Sequence, residues 1–126
     1  MIRSLSLLLF AFVLAVNTSL AQDKTSVNYV KANYDKREVK IEMRDGIKLH
    51  TTIYSPKDTS KAYPILMMRT PYSCRPYGED VYRNNIGPNK YLMEEGNIIV
   101  YQDVRGRWNS EGVYDNMRAY IPEKSR

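Results

Sequence analysis

Between Pro64 and Tyr72 the chain reads Pro-Ile-Leu-Met-Met-Arg-Thr-Pro-Tyr, and this stretch restricts the fold more than any other. The apolar run Ile65 to Met68 has the length of a strand buried on both faces, although periodicity by itself also admits a buried helical turn. The flanking prolines decide for the strand. Proline at a strand's first residue gives up no central ladder bond, and Pro71 just past its end forbids continuation and drives Thr70 extended. The strand therefore closes in a stiff corner that presents Tyr72 at the carboxyl edge of a sheet, where open α/β sheets bind their ligands. A phenol held there is able to donate a hydrogen bond to a substrate oxygen. As one of eleven tyrosines it equally suits a packing role.

The remaining elements follow from patterning. From Glu38 the residues alternate, with Val39, Ile41 and Met43 apolar, which predicts a strand with one buried face. Asp45-Gly46 then separates it from a second alternating run, Ile47, Leu49, Thr51 and Ile53, a strong hairpin signal. A polar connection leads to the strand at Ile65. The segment from Ser73 to Gly87 has no sustained period, and a loop of that length is functional or disordered as a rule. A short helix is expected over Asn89 to Glu95, with Pro88 in its first turn and Gly96 as its left-handed terminator. Ile98-Ile99-Val100-Tyr101 reads as a second buried strand, parallel to the first through a crossover. The expected class is α/β: an antiparallel hairpin followed by a parallel strand-helix-strand unit.

Residues 1–21 have the organisation of a secretory signal: Arg3, an apolar stretch from Leu5 to Val16, and Ser19-Leu20-Ala21 before Gln22. That apolar stretch is too short to span a bilayer, which takes about 20 residues. The expected organisation is therefore signal peptide 1–21, an N-terminal arm 22–37 and a partial domain 38–126. Export places the protein in the periplasm or outside the cell, with no membrane association after cleavage. The formal charge of +5 falls by one when the signal, which holds Arg3 and no acidic residue, is removed. This mild and scattered excess suits a solvated surface and gives no nucleic-acid footprint. Cys74 is the one cysteine, so no internal disulfide framework is available.

Several residues have the chemistry for a site. Gln102-Asp103-Val104-Arg105-Gly106-Arg107 sits at the end of the last strand, and charges in that position need partners; Asp103 is expected to pair with Arg105, or either of them to bond loop backbone, with substrate binding as the alternative. Gly106 and Gly112 mark turns or close approaches, since no helix follows them with phosphate-loop spacing. His50 alternates with the apolar face of its strand and is expected at the surface. Cys74 is read as a bystander thiol. One His and one Cys do not make a typical zinc site, and no cofactor motif is present. No Gly-x-Ser-x-Gly turn occurs, so these residues cannot complete a serine nucleophile.

Met43-Arg44-Asp45-Gly46-Ile47-Lys48-Leu49, Arg69-Thr70-Pro71-Tyr72 and Gln102-Asp103-Val104-Arg105-Gly106-Arg107 with Ser110-Glu111-Gly112 together resemble the opening of one group of serine hydrolases. This is the cocaine esterase and X-prolyl dipeptidyl peptidase group, which includes α-amino-acid ester hydrolases and glutaryl acylases. The resemblance covers about Glu38 to Tyr114. It implies the N-terminal portion of an α/β-hydrolase fold, and a Ser-His-Asp enzyme cleaving acyl ester or peptide substrates. It further implies that Tyr72 is an oxyanion-hole donor, and that the nucleophile, acid and base are all absent from this stretch. The acidic residues that hold a substrate amino group in some members are likewise expected elsewhere, so Glu94, Glu95 and Glu111 are not assigned that role. The alternative is a small exported binding module on the same framework, without catalysis and with the tyrosine-rich loop Tyr72 to Tyr82 as its contact surface.

Overall fold

A computed structural model describes residues 27–117. The expected signal 1–21 lies outside the described residues, as do the first part of the arm and the chain from 118 onward. Helix α1 (Val27–Asn33) runs directly into strand β1 (Tyr34–Glu42). The strand thus begins at Tyr34 rather than at Glu38, where the alternation becomes readable. Its early residues are polar in sequence yet pair fully with β2 (Lys48–Pro56), from Tyr34 opposite Pro56 to Glu42 opposite Lys48. The turn between them forms where Asp-Gly predicts it: the Gly46 N–H donates to the Met43 carbonyl at 2.9 Å, and Gly46 has φ +79°.

Strand β3 (Ile65–Thr70) and strand β4 (Ile98–Asp103) are parallel, and β4 also pairs antiparallel with β2. The sheet order is β1-β2-β4-β3. Parallel pairing sets Thr70 opposite Asp103, so the carboxyl ends of both strands meet at one edge. Between them lies helix α2 (Lys90–Glu94), capped by Asn89, whose side-chain oxygen accepts the Leu92 N–H at 3.0 Å. Pro88 stands ahead of that cap rather than in the first turn. Gly96, at φ +85°, ends the helix as expected.

The core corrects two expectations. Cross-strand register puts Lys36, Tyr54, Ile99 and Leu66 in one row of a single sheet face, and Glu38, Thr52, Tyr101 and Met68 in the next. This is the packed face: the core comprises Val30, Tyr34, Tyr54, Cys74, Ile86, Met93, Ile99 and Tyr101. In β1 and β2 it is the face that alternation reads as polar. The apolar positions of β1 lie on the other side, where Val39 is 36% and Ile41 39% exposed. Strand β3 is not buried on both faces either. It is the sheet edge, with Ile65 65% and Met67 51% exposed, while β4 between two neighbours is buried along nearly its whole length. The cause is coverage. Helix α1, the loop after β3 and Met93 of α2 all contribute side chains to the packed face.

Candidate active-site corner

Tyr72 sits where the sequence places it, two residues beyond Thr70 at the carboxyl edge, with its side chain 78% exposed. Its backbone is fixed locally. The Tyr72 N–H donates to Thr70 Oγ1, and the same hydroxyl donates to the Tyr72 carbonyl, both at 3.3 Å. A second pin arrives from the loop after β4: Trp108 Nε1–H donates to the Pro71 carbonyl at 3.0 Å. Trp108 adopts φ +54°, a left-handed conformation that costs a bulky residue about 1–3 kcal/mol and persists where neighbours enforce it. Arg75 and Arg107 stand 5.4 and 5.6 Å from its ring. Beside the corner is a cavity of about 210 Å³ lined by Thr70, Tyr72, Cys74, Arg83 and Gln102. A wider one of about 490 Å³ lies against Pro71 and Tyr114. The smaller is the relevant one, because Tyr72 is among its lining residues.

Asp103 is the polar centre beneath the corner and is fully buried. Its Oδ1 accepts the Cys74 N–H at 2.8 Å, and Oδ2 accepts the Tyr77 hydroxyl at 2.9 Å and the Asn109 N–H at 3.3 Å. It therefore takes the expected structural role of bonding loop backbone. Arg105 pairs instead with Asp45 in the turn between β1 and β2 at 2.9 Å. Burial, followed by the Asp103 carboxylate, pushes the Cys74 thiol and the Tyr77 phenol well above their usual ranges. Cys74 thus stays a protonated thiol, in keeping with its reading as a bystander. The glycines do as expected: a Cβ on Gly106, at φ +68°, would lie 2.0 Å from the Tyr114 nitrogen.

His50 is a correction. It is 7% exposed, edge-on to the Tyr77 ring at 5.2 Å, with Nε2 3.9 Å from a Glu38 carboxylate oxygen. The alternation argument takes its face as open, but the loop after β3 covers it. A residue overlooked in sequence is Lys36, whose side chain is completely enclosed. Its ammonium donates to the carbonyls of Pro76 and Gly78 at 2.7 Å and of Val81 at 2.8 Å, and pairs with Glu38 at 2.9 Å. Burial pushes the Glu38 carboxyl up, but the bonds from Lys36 and Gly78 and the nearby positive charge outweigh it and hold its pKa below the ordinary value. No sequence signal marks this lysine, because its partners are backbone carbonyls some forty residues away. Among the described residues no group of His, Cys, Asp and Glu side chains is arranged to hold a metal ion, and no helix is long and apolar enough to cross a membrane.

A family profile for X-Pro dipeptidyl-peptidases of the S15 family matches residues 45–123. The chain belongs to the X-Pro dipeptidyl-peptidase (S15) family. Within and around that family, a cocaine esterase from Rhodococcus sp. (strain MB1 Bresler) is 33% identical over 88 residues, covering 68% of this chain and 14% of the relative. The solved structure of an α-amino acid ester hydrolase superposes with a TM-score of 0.56 at 40% identity, covering 75% of this chain and 15% of that one. An aminopeptidase from a marine sediment archaeon, Thaumarchaeota archaeon, gives 0.56 at 39% identity over 66% of this chain and 14% of its own. The chain therefore spans about a seventh of the length of these relatives. The mixed sheet is the N-terminal portion of an α/β-hydrolase fold, as the family resemblance implies, and the S15 relatives are hydrolases acting as esterases and peptidases.

Proposed function

We propose that this chain supplies the first sheet strands and the oxyanion-hole tyrosine of an exported serine hydrolase cleaving acyl ester or peptide bonds. The serine, histidine and aspartate of that enzyme belong to sequence outside these 126 residues, which contain no Gly-x-Ser-x-Gly turn. The observation that carries the reading is Tyr72 itself: an accessible phenol on a corner held by Thr70 and Trp108, at the edge where parallel strands end. In this fold part of the oxyanion hole comes from the loop after the third strand.

The chemistry is charge stabilisation. When a nucleophile adds to the acyl carbonyl, the carbonyl oxygen becomes an oxyanion. A phenol O–H already aimed at that oxygen offsets the charge without reorganising. The second donor is the backbone N–H that follows the nucleophile. No metal or cofactor enters this scheme.

The test is Tyr72→Phe in the active enzyme that carries this sequence. The variant lowers kcat about 100-fold, with KM little changed, as loss of one oxyanion donor does. An unchanged kcat overturns the assignment. Export is checked separately: the secreted protein begins at Gln22, and one that retains residues 1–21 contradicts it. The binding-module alternative requires a protected sheet edge, and the exposure of Ile65 and Met67 on β3 disfavours it.

A further inference from the structure

Lysine is almost never buried without partners, and Lys36 has no exposed side-chain surface at all. An ammonium carries three N–H donors. Here three carbonyls from one short loop converge on it, those of Pro76, Gly78 and Val81, with the Glu38 carboxylate balancing the charge. Converging backbone carbonyls and a carboxylate are how loops hold a free cation. In this protein the cation is covalently attached to β1. Without it, three inward-facing carbonyls would stand close together with nothing to satisfy them.

The same loop continues to the candidate site. Tyr77 lies between two of the ligating residues, and its hydroxyl bonds to Asp103. Asp103 in turn holds the Cys74 N–H, two residues from Tyr72. We propose that Lys36 is a positioning residue for Tyr72, a built-in cation around which the loop after the phenol is wound. The catalytic half of this inference rests on the oxyanion reading of Tyr72; the winding of the loop does not.

Cys74 reports the winding, because it is the one cysteine and is 2% exposed. In the 126-residue chain, Lys36→Ala speeds alkylation of Cys74 by N-ethylmaleimide about tenfold or more, while amide exchange at Ile53 and Ile99 changes less than about twofold. Removing a cation lowers the thiolate fraction if it changes it at all, so faster labelling reads access. n-Propylammonium, which replaces the deleted atoms, restores slow labelling. Tetramethylammonium, equally charged but without N–H donors, does not. Labelling that stays at the wild-type rate, or rises only in step with sheet exchange, overturns the winding. Should Lys36→Ala fail to fold, selective recovery of the fold by n-propylammonium supports it and no recovery overturns it.

In the active enzyme Lys36→Ala lowers kcat about tenfold with KM within about twofold, and adds nothing to the loss in Tyr72→Phe. Full additivity of the two losses overturns the positioning role. A silent Tyr72→Phe overturns the oxyanion assignment instead and leaves the labelling result standing.

Discussion

The two faces of the sheet are unequal in a way opposite to their composition. One face carries Lys36, Glu38, His50, Thr52 and Tyr54 on the hairpin strands and is covered by α1 and the loop that carries the candidate site. The other carries Val39, Ile41, Ile65 and Met67 and is buried only at its centre, where Gln102 Nε2 donates to Thr51 Oγ1 at 2.8 Å. Polar residues therefore sit under cover while apolar ones face outward. Some of the covered polar groups are tied down, whereas Thr52 Oγ1 and the Tyr54 hydroxyl are buried without a hydrogen-bond partner. Lys36 has its carbonyl cage, and the Lys36 N–H itself donates to the Tyr82 hydroxyl at 3.2 Å. The Tyr34 hydroxyl donates to the Met93 carbonyl, and burial lifts the Tyr34 pKa to about 12. The covered face is the one over which the loop after β3 is built, and α/β folds pack helices on both faces of their sheet.

Two isoleucines sharpen this contrast most. Ile99 on β4 is 1% exposed and Ile65 on β3 is 65% exposed, though their runs look alike in sequence. Ile99→Ala should cost about 2–5 kcal/mol in urea unfolding, whereas Ile65→Ala should stay within about 0.5 kcal/mol. Equal losses would mean that β3 is covered after all.

Asp103→Ala comes next. It leaves the Cys74 N–H and the Tyr77 hydroxyl without their acceptor, at about 1–3 kcal/mol for each unsatisfied buried group. The loss should appear as faster exchange of the Cys74 and Asn109 amides.

Gly106→Ala should destabilise by about 1–3 kcal/mol, because φ +68° and the nearby Tyr114 backbone both exclude a Cβ. Thermal unfolding measures it, and the Trp108 fluorescence should shift as the loop around it moves. A wild-type melting temperature would break the link between that loop and the corner.

The smallest effect is electrostatic. The Glu38 pKa is lower in the folded state than in the unfolded chain, so its contribution is fully present above the unfolded value near about 4.3. It is lost as pH falls through the folded value. In Glu38→Gln the part of the acid stability slope due to this group disappears, which a pH series of unfolding curves reads directly.

Much of the architecture is legible in the chain because it is local. Asp45-Gly46 fixes the hairpin, Pro64 and Pro71 bracket β3, and Gly96 ends α2, each through backbone conformation rather than distant contact. Face assignment is not local. Alternation tells which residues are apolar, whereas burial depends on what packs above them, and the loop after β3 has no periodicity to announce that it folds over His50 and Lys36. Tyr72 is placed correctly at its edge because proline geometry puts it there. Its anchors escape sequence reading for a related reason: Trp108 reaches a carbonyl 37 residues away, and Asp103 reaches an N–H 29 residues away. Only the family resemblance draws those three stretches together beforehand.

The most direct measurement is a structure of the active enzyme carrying this sequence with a boronic acid bound at its serine. The account predicts the Tyr72 hydroxyl about 2.7–3.1 Å from the boronate oxygen that mimics the oxyanion. A phenol turned away from that oxygen, with another side chain donating in its place, would contradict it.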